Sequence, residues 1–180
     1  MSKSILIFST SLRKNSNSDR LAQAFADGAR ETGNEVELIR LGDFRLEFCR
    51  GCLACQKTGR CTISDDGPAL VEKMAKADVL VFATPIYYYE MSGQLKTLLD
   101  RANPLFASEY AFREVYLLTA AAENSPGTPA AAEQGLQGWI RCFAGCRLAG
   151  SIFAGGVTAP GEIEGHPSLK KARELGRSVR

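Results

Sequence analysis

The chain has 180 residues, is 45% hydrophobic and 23% charged, and carries a formal net charge of +2. That length suits one domain spanning residues 1–180 with a sizeable core, and the composition is that of an ordinary globular protein. The charge is too weak for a nucleic-acid binder, and no apolar run nears the roughly 18 residues of a membrane span, so neither nucleic acid nor membrane is an expected partner.

The opening Met1-Ser2-Lys3-Ser4-Ile5 has one basic residue and too short an apolar core for a secretory signal. The expected compartment is the cytoplasm. Six cysteines point there to metal binding, redox chemistry or plain reduced thiols rather than to a disulfide framework.

Strand and helix patterns alternate along the chain. Ile5-Leu6-Ile7-Phe8 reads as a first strand, followed by a hydroxyl-rich turn and a helix with Leu21, Phe25 and Ala29 on one face. Gly33-Asn34 stops that helix, and Val36–Ile39 is a second strand. The segment Cys49–Cys61 has little periodicity. Asp65-Asp66-Gly67-Pro68 announces a helix, with an Asp cap, a Pro in its first turn, and an apolar face at Leu70, Val71 and Met74. Val79–Ala83 is continuously apolar, as a strand buried on both faces of a parallel sheet must be. A loop from Thr84 to Met91 leads to a helix with Leu95, Leu98 and Leu99 as its stripe. Val115–Leu118 is a fourth strand, Ala130–Gly145 a helix with Trp139 and Phe143 four apart, and Leu148–Phe153 a fifth strand. A Gly/Pro loop over 155–166 precedes a basic closing helix over 168–179. There is no linker, internal repeat or low-complexity segment.

The expected fold class is therefore α/β: a doubly wound five-stranded parallel sheet in the order 2-1-3-4-5, with right-handed crossovers placing helices on both faces as a three-layer sandwich. Its switch point lies between the first and third strands, which makes the loops after them, 9–18 and 84–89, neighbours around one crevice.

Three constellations carry possible chemistry. Ser9–Ser18 offers backbone N–H groups, hydroxyls and the positive end of a helix dipole, and Arg13 adds a guanidinium fork suited to phosphate. It is neither a dinucleotide nor a triphosphate fingerprint, so a single phosphomonoester suits it. The other reading is a solvated loop that caps the helix with Ser16 or Asn17. Pro85-Ile86-Tyr87-Tyr88-Tyr89 can wall a flat aromatic ligand, or pack on a helix or a subunit contact. Cys49-x2-Cys52-x2-Cys55-x5-Cys61 has close, ferredoxin-like spacing, leaving an iron–sulfur cluster, zinc and unmetallated thiols as its readings. Cys142 and Cys146 share a helix face as small core residues, His166 is solvated or structural, and Asp65-Asp66 is a helix cap.

Thr10–Ser18, Thr84–Tyr89 and Met91–Arg101 resemble the NAD(P)H-dependent FMN reductase family of the flavodoxin-like fold, and Cys49–Cys61 followed by Asp65-Asp66 resembles its iron–sulfur flavoprotein branch. The resemblance implies FMN as cofactor, NAD(P)H as co-substrate, a possible four-iron (4Fe-4S) cluster, and a homodimer or homotetramer with FMN near a subunit contact. By motif, Ser11, Arg13, Ser16, Asn17 and Ser18 would hold the phosphate. Pro85, Ile86, Tyr87 and Tyr88 would line the ring, and Ala120 and Ala121 would approach its other edge. Cys49, Cys52, Cys55 and Cys61 would be the metal ligands. Thr10 and Ser16 stand where such loops often carry glycine. The function implied is an FMN-dependent oxidoreductase moving electrons from a reduced nicotinamide to a small-molecule or protein acceptor or an iron–sulfur centre, with no side chain required as acid or base. The alternatives are a non-catalytic iron–sulfur/FMN electron carrier serving a partner protein and a zinc-stabilised binding module.

Overall fold

In the computed structural model, which describes residues 2–180, the chain runs β1 (Ser4–Ser9), α1 (Asn17–Glu31), β2 (Glu35–Arg40), α2 (Ala54–Thr58), α3 (Gly67–Lys76), β3 (Val79–Tyr87), β4 (Glu90–Met91), α4 (Gly93–Arg101), β5 (Glu114–Ala120), α5 (Ala130–Ile140), β6 (Arg147–Ala154) and α6 (Pro167–Arg177). The parallel strands lie in the order β2-β1-β3-β5-β6, and β4 pairs antiparallel with the end of β3. The doubly wound parallel sheet is as expected. The strand count and numbered order are corrected by β4, a sixth strand of two residues that is too short to leave a period-2 signal.

Alternation along β1 sets the three layers, because successive strand side chains point to opposite faces. Ile5 and Ile7 pack with Leu21, Phe25 and Ala172 from α1 and α6. Leu6 and Phe8 pack on the other face with Leu70, Met74, Leu95, Leu98 and Leu136 from α3, α4 and α5. Burying each of the larger of these side chains, Ile, Leu, Phe and Met, stabilises the fold by roughly 1.5–3 kcal/mol. The α1–α6 contact is backbone-close: a Cβ on Gly28 would sit 2.0 Å from the Arg173 carbonyl oxygen, and one on Gly176 would sit 2.1 Å from that of Phe25. Only glycine permits that approach.

Three further elements depart from the sequence pattern. β3 runs through Pro85 to Tyr87 instead of ending at Ala83. The β1 partner ends at Ser9, opposite Ala83, so on that side Pro85 meets no strand that its missing N–H would have to pair. α5 stops at Ile140, and the chain turns on to Cys146. The turn leaves Cys142 exposed, not a core residue, while Cys146 is half-buried and packs against the edge of the core. Trp139 and Phe143 do meet, with ring centroids 4.5 Å apart.

Candidate functional site

The chain reverses its winding between β1 and β3, and a cleft opens at the carboxyl ends of those strands. One end of the cleft is the turn into α1. Ser16 caps the helix: its Oγ accepts from Asp19 N at 3.1 Å, and Ser16 N donates to Asp19 Oδ2 at 3.3 Å, a reciprocal capping box. The first-turn N–H groups of Asn17 and Ser18 have no helical carbonyl to bond and form the positive end of the helix dipole. Asn15 adopts φ 53, a left-handed turn that asparagine tolerates. Ser11, Arg13, Ser16, Asn17 and Ser18 all line the cleft. The Asn17 side chain is already committed, donating to Ala159 O at 3.0 Å and accepting from Ile163 N at 3.2 Å. What remains for it to offer a ligand is its backbone N–H. Arg13 is exposed and donates to Thr158 O at 2.9 Å, which holds its guanidinium over the mouth of the cleft.

A buried hydroxyl cluster welds this turn to the end of β3 and the start of α4. Thr10 Oγ1 lies 3.0 Å from Ser92 Oγ, which lies 3.2 Å from Thr84 Oγ1, and Ser92 N donates to Thr84 Oγ1 at 3.0 Å. All three residues are fully buried. Thr10 also binds Ala83 O through both its N–H (2.9 Å) and its hydroxyl (3.1 Å). The Thr10 hydroxyl is thus a structural donor.

Pro85, Ile86 and Tyr87 line the middle of the cleft, and register places Ala120 directly beside Pro85. Ala121 lies next to it on the cleft wall. Tyr88 is not brought into the cleft. It sits at the tip of the β3–β4 hairpin, where Ile86 pairs with Met91 and Tyr87 with Glu90, and it is 101% exposed. Tyr88 and Tyr89 have φ values of 49 and 67, a primed turn that normally selects Asn-Gly. The Glu123 carboxylate beside Tyr89 pushes its phenol pKa up.

Sequence reasoning missed the far wall. Val157, Thr158 and Pro160, from the loop after β6, close the cleft together with Ala122. Gly155 makes this possible, since a Cβ there would lie 2.4 Å from Asn124 Oδ1. Glu162 pins the loop by accepting from Thr158 N at 2.5 Å and Ala159 N at 2.9 Å. The Gly155-Gly156 pair after an apolar strand was the available signal. His166 is structural: it caps α6, its Nδ1 accepting from Ser168 N at 3.2 Å.

The cysteine segment is firmly anchored at its ends. Arg101 and Asp65 form a two-pronged ion pair at 2.6 and 2.7 Å with both side chains fully buried. Arg101 also donates to Glu47 O at 2.7 Å, while Asp65 accepts from Glu47 N (2.7 Å) and Gly67 N (2.9 Å). Hydrogen bonding to Arg101 holds the Asp65 carboxyl down at about 2. The expected Asp cap is thus corrected: Asp65 serves Gly67 but mainly pairs with Arg101, and Asp66 accepts from Arg45 N at 2.6 Å. Between the anchors the four sulfurs do not converge. Cys55 is buried on the one-turn α2, where its Sγ accepts from Asn103 Nδ2 at 3.1 Å. Exposed Cys52 lies 4.0 Å from the Thr62 hydroxyl, and the Ala54 N–H, followed by Thr62, lowers its thiol pKa. Cys61 faces Arg101 and one cleft, and Cys49 faces another with Cys142 and Trp139. Among the described residues no group of three or more His, Cys, Asp or Glu side chains is placed to hold a metal ion. The residues present fit FMN in the first cleft and do not fit a cluster in this conformation of the second segment.

Residues 4–157 match the family described as NADPH-dependent FMN reductase. The chain belongs to that family. Among relatives of this FMN reductase family chain, an iron–sulfur flavoprotein of Methanocaldococcus jannaschii is 37% identical over 101 residues, covering 56% of this chain and 52% of that protein. An iron–sulfur flavoprotein of Archaeoglobus fulgidus is 27% identical over 167 residues, covering 93% and 74%. The chain spans about half the length of the relatives it matches at 37% identity. In structure it is similar to an NAD(P)H:quinone oxidoreductase from Methanothermobacter marburgensis, with a TM-score of 0.76, 20% identity, and coverage of 98% and 96%. It also resembles a flavodoxin, WrbA-like protein from Agrobacterium tumefaciens (TM-score 0.67, 20% identity, coverage 99% and 91%). Those two likenesses show the fold. No helix among the described residues is long and apolar enough to cross a membrane.

Proposed function

We propose that this chain binds FMN in the cleft between the α1 turn and the loops after β3, β5 and β6, and works as an oxidoreductase passing electrons from a reduced nicotinamide to a small acceptor. The observation that carries the reading is one continuous cleft with an amide- and hydroxyl-lined helix start at one end and apolar walls at the other. FMN, when bound, supplies the hydride and electron chemistry. The first-turn N–H groups of Asn17 and Ser18, the hydroxyls of Ser11 and Ser16, and Arg13 hold the phosphate. Pro85, Ile86 and Tyr87 flank the ring on one side, and the small Ala120 and Ala121 let the β5 loop approach its edge. Val157 and Pro160 exclude water from the far side. No carboxylate, histidine or lysine lines the cleft among the described residues, which suits a reaction in which the protein orients the reactants and moves no proton through a side chain.

Equilibrium titration with FMN, FAD and riboflavin tests this reading. FMN is expected to bind tightest, and the loaded protein to oxidise NADH or NADPH with a quinone as acceptor. Equal or tighter FAD binding overturns it. The divergent sulfurs do not support the alternative of an iron–sulfur/FMN carrier. About four irons per chain after anaerobic reconstitution would revive that reading. Leu12, Phe44, Phe48 and Tyr88 are large apolar or aromatic side chains left exposed. They support a homodimer or homotetramer, which light scattering on the purified protein measures. The free cysteines support a cytoplasmic setting.

A further inference from the structure

Behind the phosphate-facing turn stands a carboxylate. Asp19 is 8% exposed and lies one hydrogen bond from the cleft wall. Three donors converge on it: Ser9 Oγ, Ser16 N at 3.3 Å, and the Arg40 guanidinium at 2.7 Å. Two oxygens with four lone pairs accept all three, whereas an amide offers a single oxygen. The carboxylate thus braces the turn from both oxygens, and an asparagine there would keep one oxygen for Ser16 N. Yet a bare carboxylate beside a site for a phosphate dianion repels the ligand through poorly screened surroundings. Arg40 resolves the conflict. It stands at the carboxyl end of β2, in register with Ser9, and its side chain reaches across to Asp19 without lining the cleft.

We propose that Arg40 is a positioning and charge-cancelling residue for the phosphate site: it neutralises the carboxylate that braces Ser16, so affinity for a phosphate-bearing flavin depends on a side chain that never touches it. This rests on the FMN reading. Arg20 and Arg13 cannot substitute, because Arg20 pairs with Glu164 at 2.7 Å and Arg13 is held by Thr158 O.

The experiment compares FMN and riboflavin affinities, by fluorescence quenching, for wild type, Arg40→Gln, Arg40→Lys and the double variant Arg40→Gln/Asp19→Asn. Arg40→Gln is expected to lose about tenfold in FMN affinity, an effect that shrinks with added salt, while riboflavin stays within about twofold. Arg40→Lys, which keeps the charge, and the double variant, which removes the repulsion, should each recover most of that loss. A fall that is equal for both ligands means Arg40 acts through general structure and overturns the inference, as does unchanged FMN binding in Arg40→Gln. The affinity ratio is read on each variant that melts cooperatively. If Arg40→Gln does not fold, Arg40→Lys decides the matter, retained FMN preference supporting the proposal and lost preference overturning it. Wild-type protein that binds FMN and riboflavin equally overturns the FMN reading itself, and this inference with it.

Discussion

Two loop systems leave the same sheet and are built in opposite ways. The cleft at the ends of β1 and β3 is prepared at the level of backbone and hydroxyls: Thr10, Thr84 and Ser92 lock its floor, and Glu162 and Asn17 lock its far wall. The cysteine segment is fixed mainly at its ends, at Glu47 and Asp65, and its sulfurs answer to four different neighbours. The first region can receive a ligand as it stands. The second would have to unwind α2 and withdraw Cys55 from Asn103 before its thiols could share one centre. Preorganisation, more than residue type, separates a site that is ready from a set of side chains capable of becoming one.

The largest blow to that contrast comes from Arg101→Ala. It leaves Asp65 buried without its cation and removes the Arg101 bond to Glu47 O, so that only the Glu47 and Gly67 N–H groups still hold Asp65. A loss of about 3–5 kcal/mol in urea unfolding is expected, with FMN affinity of the folded fraction little changed. A matching loss of FMN affinity would mean that the two regions are coupled. Arg13→Ala does the reverse. It should cost FMN roughly 1.5–3 kcal/mol of binding, since a charge-assisted bond is removed, and leave riboflavin and the melting temperature nearly untouched. Calorimetric titration with both ligands reads this directly.

Acid sharpens the comparison. Asp65 titrates near 2 in the folded chain against a reference of 3.8, so its bond to Arg101 is fully present above about pH 4 and is lost as pH falls through 2. The shift corresponds to about 2 kcal/mol. In wild type the unfolding free energy should drop by that amount over this window, and in Asp65→Asn that part of the drop should vanish. The smallest expected effect is a gain. Replacing Tyr88-Tyr89 by Asn-Gly relieves two left-handed residues and should stabilise the protein by about 1 kcal/mol. A hairpin whose stability is unmoved in thermal melts would show that the tyrosines are held by contacts that offset their strain.

Much of the parallel architecture was legible because buried strands such as Val79–Ala83 and stripes such as Leu95, Leu98 and Leu99 follow from period alone. So was the union of the 9–18 and 84–89 loops, which winding rules dictate. What escaped depended on distance in space. The loop at 157–160 has no composition that marks it as a wall, and β4 is two residues long. Asp65 looked like a cap because its true partner, Arg101, lies 36 positions away. Tyr88 was misplaced because three tyrosines in a row give no clue to which one a tight turn will throw outward. The Cys spacing, the most eye-catching pattern in the chain, said which atoms were near in sequence and nothing of where each would point.

The glycine crossing of α1 and α6 bears on how the protein is made. α1 leaves the ribosome well before α6, so the face it presents to Arg173 and Gly176 finds its partner only after about 145 further residues have been translated, and Asn34 waits likewise for the Val179 carbonyl (3.2 Å). Closing so long a loop delays contact formation more than it weakens it. The helix start proposed to hold the phosphate is therefore synthesised well before it is fully braced, and a nascent chain stalled before α6 should be unable to retain flavin.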